Sequence, residues 1–119
     1  MKLSIRSSMA RRLSKALRGK RRWIGLQLSS DIRSRSEIKA IIEEISNHLQ
    51  LSSDPKLMDF ELDVLPNGCG TGIVQVKLSD YSAFREHISD ENSLEKIGIS
   101  SLTSSGKIRL VRDRLSSLN

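Results

Sequence analysis

Aromatic residues are scarce in this 119-residue chain, with one Trp, one Tyr and two Phe making 3% of the sequence. Four rings are too few for a sheet that reads RNA by stacking bases along its middle strands. Cys69 is the single cysteine, which excludes an internal disulfide framework and any zinc site built from several cysteines. A reducing, cytoplasmic compartment fits that usage. The only histidines are His48 and His87, which argues against a His-based metal centre. No run approaches the ~20 apolar residues of a membrane span, and the continuous apolar segment of a secretory signal is missing. Hydrophobic residues are 37% of the chain and mean hydropathy is −0.33, the composition of a soluble single domain.

Acids are absent from the first 22 residues. That stretch holds Lys2, Arg6, Arg11, Arg12, Lys15, Arg18, Lys20, Arg21 and Arg22, a charge of +9. Residues 23–105 carry −6, and residues 106–119 carry +3 through Lys107, Arg109, Arg112 and Arg114 against Asp113. An acidic body between two basic ends points to a polyanion, either nucleic acid or an anionic membrane surface.

Residues 1–19 read as a basic arm, disordered or helical on binding, because Met9, Leu13 and Leu17 recur every four residues. A targeting presequence is the competing reading of this Arg- and Ser-rich stretch. Residues 20–119 read as one α+β domain. Ile24, Leu26 and Leu28 alternate with Trp23, Gly25 and Gln27, the pattern of a half-buried strand. Ser34 and Glu37 have capping-box spacing, and Ile38, Ile41, Ile42, Ile45 and Leu49 form an apolar stripe, which together predict a helix over 35–50. Residues 51–56 read as a loop.

Met58, Phe60, Leu62 and Val64 alternate with Asp59, Glu61 and Asp63, predicting a second strand with one acidic face. Pro66-Asn67-Gly68-Cys69-Gly70 is a turn sequence, because Asn and Gly tolerate positive φ. Val74, Val76 and Leu78 mark a third strand. Asp80 is a candidate cap for a helix bearing Tyr81, Phe84 and Ile88. Residues 97–102 suggest a fourth strand, Ser104-Ser105-Gly106 a turn, and Ile108, Val111, Leu115 and Leu118 a terminal helix. The order is β-α-β-β-α-β plus a C-terminal helix. It corresponds to a ferredoxin-like, RNA-recognition-motif-like sandwich with a four-stranded antiparallel sheet. Its second sheet face is expected to lie open, exposing Ile73 and Leu65 beside the acids as a surface for a protein partner.

Catalytic signals are weak. Gly68–Gly72 lacks the GxxxxGK[ST] pattern and precedes a strand, so it reads as turn geometry. Cys69 has no evident base. Asp59, Glu61 and Asp63 have a spacing that can serve Mg²⁺, although a solvated or partner-facing row is the simpler reading. Nucleic-acid signals are better. Lys20-Arg21-Arg22-Trp23 sets three cations and an indole where the arm enters the first strand; cations neutralise phosphates, and an exposed ring stacks on a base. The competing reading of Trp23 is a packing residue at the sheet edge. Near the other end, Ser105, Gly106, Lys107 and Arg109 combine a helix start with positive charge, which favours phosphate. Arg109 and Arg112, three apart, share a helix face.

These residues resemble those of the ribonuclease P protein component 2 family, the small protein subunit of archaeal and eukaryotic ribonuclease P. Its basic run, aromatic and strand are matched by Arg21-Arg22-Trp23-Ile24-Gly25-Leu26, with Trp for the family's Tyr. Its G-I-[IV] strand is matched by Gly72-Ile73-Val74. Its S-G-T-I-R end is matched by Ser105-Gly106-Lys107-Ile108-Arg109, with Lys for Thr. The resemblance covers roughly residues 18–115.

The resemblance implies a non-catalytic subunit of an endoribonuclease holoenzyme, in which the RNA and its Mg²⁺ remove the 5′ leader of precursor tRNA. The chain itself would bind no cofactor. Its partners would be ribonuclease P RNA and the TIM-barrel-like ribonuclease P protein component 3, as a two-plus-two heterotetramer, with precursor tRNA in the holoenzyme and no membrane. Arg18, Lys20, Arg21, Arg22, Trp23, Ser105, Gly106, Lys107, Arg109 and Arg112 would contact RNA. Two other classes compete: a ferredoxin-like protein-interaction or regulatory module with a basic targeting arm, and an independent ribonuclease using Asp59, Glu61 or Asp63 with a metal.

Overall fold

The computed structural model describes residues 21–118 of the chain. The expected arm at 1–19, together with Arg18 and Lys20, lies outside the described residues. Four strands, β1 (Arg21–Leu28), β2 (Lys56–Glu61), β3 (Gly70–Lys77) and β4 (Ile99–Ser105), form one antiparallel sheet in the order β2-β3-β1-β4. Helices α1 (Arg35–Leu49) and α2 (Leu78–His87) connect β1 to β2 and β3 to β4, and a short α3 (Ser93–Lys96) precedes β4. A last helix, α4 (Ile108–Ser116), follows the sheet. This is the expected α+β arrangement with ferredoxin-like strand order.

Helix α1 forms where its apolar stripe predicts. Ser34 Oγ accepts from the Glu37 N–H at 3.3 Å, which is half of a capping box. The returning Glu37 carboxylate accepts from the Arg33 N–H at 3.1 Å and from the Ser34 hydroxyl at 3.2 Å, rather than from the Ser34 N–H. Ile38, Ile42 and Ile45 then pack with Phe84 and Ile88 over Ile24, Leu26, Leu28, Leu57, Val74, Val76 and Ile99. Burying residues of this size at ~25 cal/mol per Å² supplies the main driving force for the fold.

Four expectations are corrected. The second strand stops at Glu61, and a bulge at Met58 breaks its alternation, since Leu57 pairs with Val74 but Asp59 with Ile73. The bulge turns Met58 to the face opposite Phe60, so the two are not on one stripe. Helix α2 starts at Leu78, so Asp80 lies inside its first turn rather than at its cap. Its buried carboxylate accepts from the Ser52 N–H at 3.1 Å and hydroxyl at 2.9 Å, pinning the α1–β2 loop. Strand β4 continues through Ser104 and Ser105, where the sequence predicts a turn, because both pair with β1.

The fourth correction concerns the sheet face expected to be open. Helix α4 covers it, burying Val111 and Leu115 against Ile73, with Trp23, Met58 and Ile108 partly buried around them. Ile73 is therefore core, not an exposed docking residue. Gly25 permits the close approach: a Cβ there would stand 2.9 Å from Thr103 Cγ2, 3.0 Å from Val111 Cγ1 and 3.1 Å from Leu115 Cδ2. A strand residue without a side chain is what lets the helix axis sit down on the sheet. Among the described residues, no helix is long and apolar enough to cross a membrane.

Candidate nucleic-acid interface

Antiparallel pairing decides which charges meet. Arg21 pairs with Lys77, Lys56 with Gln75, and Trp23 with Ser105. The starts of β1 and β2 and the ends of β3 and β4 therefore share one end of the sheet. Arg21, Arg22, Lys56, Lys77 and Lys107 gather there, and Arg109 follows in the first turn of α4. It is also the end at which the strongly basic preceding sequence joins β1. Glu61 and Asp63 lie at the opposite end, where β2 gives way to the hairpin. The nearest acid in sequence to Lys77 is Asp80, which is buried and bound by Ser52.

Arg22 makes a ring contact at this end. The Arg22 guanidinium lies over the Tyr81 ring, with Cζ 5.7 Å from the centroid. Tyr81 shares a hydrogen bond with Ser104, Oη to Oγ, at 2.6 Å, which ties α2 to β4. Ser105 Oγ accepts from the Lys107 N–H at 3.1 Å, so this hydroxyl shapes the turn into α4. Gly106 is exposed, as are Lys107 and Arg109.

Two other expected contacts have different surroundings. Trp23 is half-buried, packs against the cluster under α4, and lies on the interior strand β1 rather than at a sheet edge. Its indole Nε1 is buried with no partner among the described residues. Arg112 donates to Asp59 from Nε at 2.8 Å and from Nη2 at 3.4 Å, so it faces β2 rather than the basic end. The Asp59 hydrogen bond and charge hold the Arg112 guanidinium above its usual pKa.

Two of the three acids at 59–63 are engaged with arginines. Asp59 takes Arg112, and Asp63 takes Arg33 through bonds of 3.1 and 2.9 Å. The Arg33 bond, and then its charge, hold the Asp63 carboxyl below its ordinary range. Cys69 is buried in the hairpin turn, where its N–H donates to Asn67 Oδ1 at 3.0 Å. The rings of His48 and His87 stand 5.4 Å apart, centroid to centroid.

Lys56, Lys77 and Tyr81 are the members of this end that sequence reasoning missed. Lys77 closes a strand and Lys56 opens one, and nothing local in either marks RNA. Their signal is the register alone, which places Lys77 across from Arg21. No protein-family model and no curated protein matches the chain.

Proposed function

We propose that this chain is a cytoplasmic protein subunit of ribonuclease P that assists the catalytic RNA in removing the 5′ leader of precursor tRNA. The carrying observation is the gathering of Arg21, Arg22, Lys56, Lys77, Lys107 and Arg109 at one end of the sheet, where β1 begins. The three segments that resemble the ribonuclease P protein component 2 family support the same reading.

The chemistry of the holoenzyme belongs to its RNA and Mg²⁺. Folding an RNA active site brings phosphates together, and their mutual repulsion opposes it. Each phosphate neutralised by Lys or Arg releases condensed counterions, adding about 0.7–0.9 to the salt dependence of binding. Cations gathered at one end of the sheet lower that repulsion without supplying a catalytic group. The larger subunit, ribonuclease P protein component 3, is the protein partner in this reading.

Reconstitution tests it. Ribonuclease P RNA is assayed for precursor-tRNA cleavage at moderate Mg²⁺ with the larger subunit, with and without the full chain. Stimulation that needs both proteins is expected. Absence of stimulation, together with no RNA binding at low salt, would remove this reading and leave the regulatory module in its place.

A further inference from the structure

The described arginines differ in what holds their guanidinium groups. Arg33 and Arg112 sit against carboxylates, which take their N–H donors. Arg22 sits on a ring, and among the described residues it has no carboxylate partner. A guanidinium resting on a π face keeps its charge and its in-plane donors for an anion.

The seat of Arg22 is built from three elements. Tyr81 of α2 supplies the ring, 5.7 Å from Cζ. The bond of 2.6 Å between the Tyr81 and Ser104 hydroxyls fixes that ring to β4. Gly106 leaves room on the turn into α4, where a Cβ would stand 3.0 Å from Arg22 Nη1. A long flexible arginine loses rotamer freedom when it closes on a phosphate, and one already seated loses less.

We infer that Tyr81 is a positioning residue for RNA binding: with Ser104 and Gly106, it holds the Arg22 guanidinium ready for a phosphodiester of the RNA backbone. The inference rests on the RNA-binding reading of the basic end. Tyr81 acts through Arg22, and a bidentate N–H pair meets two phosphate oxygens.

The test is the affinity of the full chain for ribonuclease P RNA and for a mixed-sequence RNA hairpin, measured by anisotropy over a salt series. Arg22→Ala weakens binding and lowers the salt slope by about 0.7–0.9. Tyr81→Ala removes no charge, yet weakens binding about 3-fold. In the Arg22→Ala background it has no further effect, and Tyr81→Phe, which keeps the ring, recovers most of the affinity.

Gly106→Ala guards against a folding defect at Tyr81. The added methyl meets only the guanidinium of Arg22, at the far end of its side chain. It is expected to weaken RNA binding about 3-fold while the thermal midpoint stays at the wild-type value. A Tyr81→Ala effect that persists undiminished without Arg22 overturns the inference, as does wild-type affinity for Gly106→Ala. Wild-type protein that binds neither RNA overturns it together with the RNA reading. Hairpin binding with the stated coupling but no stimulation of precursor-tRNA cleavage upholds Tyr81 and removes only ribonuclease P.

Discussion

Arg112 on α4 donates from Nε to Oδ2 of Asp59 on β2 at 2.8 Å, closing a link between the last helix and an edge strand across the sheet face. Two residues that the sequence assigns to different tasks, a phosphate contact and an acidic surface, are thus occupied with each other. Both side chains are about half exposed, so the link contributes little to stability. Its consequence is directional, since it aims Arg112 away from the basic end.

RNA binding should therefore distinguish the arginines and lysines of α4. Arg112→Ala is expected to leave RNA affinity within about 2-fold of wild type, whereas Lys107→Ala with Arg109→Ala lowers the salt slope by roughly 1.4–1.8. Anisotropy titrations from low to moderate salt measure both. Equal losses for the two variants would contradict the placement of Arg112.

Gly25→Ala is expected to loosen α4. The new methyl meets Thr103, Val111 and Leu115 at 2.9–3.1 Å, and overpacking of this kind typically costs about 1–3 kcal/mol. Trp23 belongs to the same cluster and is the sole tryptophan, so its emission should shift to the red as α4 moves. Urea unfolding with fluorescence detection reports both effects. Unchanged stability would mean that α4 does not pack on Gly25.

Asp80→Ala is expected to destabilise the fold by about 1–3 kcal/mol, because two hydrogen bonds from Ser52 to the Asp80 carboxylate are lost. The same unfolding assay reads it. An effect near zero would show that the α1–β2 loop is held by other contacts.

The Arg33–Asp63 pair sets an acid-side dependence of stability. The folded carboxyl of Asp63 titrates below its unfolded value because Arg33 donates to it and carries positive charge beside it. The unfolded state then binds more protons in that window, so stability rises with pH there. The contribution is complete above the unfolded carboxylate value and disappears as pH falls through the lowered folded value. Asp63→Asn should flatten this segment of the stability curve relative to wild type, with the two curves running parallel near neutral pH. Identical acid-side slopes would contradict the pairing.

Much of the architecture is legible in the residues. The isoleucine stripe of α1 and the Ile24-Leu26-Leu28 alternation each commit one face to the core, and Asn67-Gly68 specifies the hairpin, with Gly68 at φ 87°. The bulge at Met58 was hidden because Met58, Phe60 and Leu62 alternate as well as any strand does. Helix α4 was legible as an amphipathic helix, but its spacing does not say what it covers. The hint lay in Trp23, Gly25 and Ile73, two apolar residues and a glycine on the nominally outer face. The basic end was half legible. Arg21, Arg22, Lys107 and Arg109 stand out as runs of charge, while Lys56 and Lys77 join them only through strand register.

The most direct measurement is the Mg²⁺ requirement of precursor-tRNA cleavage by ribonuclease P RNA with the larger protein subunit. Wild-type chain should lower the Mg²⁺ needed for half-maximal cleavage, and a chain with Lys77, Lys107 and Arg109 changed to Glu should fail to lower it. A requirement that is the same with wild type, with the triple variant and without either would contradict the claim that this end of the sheet serves the RNA.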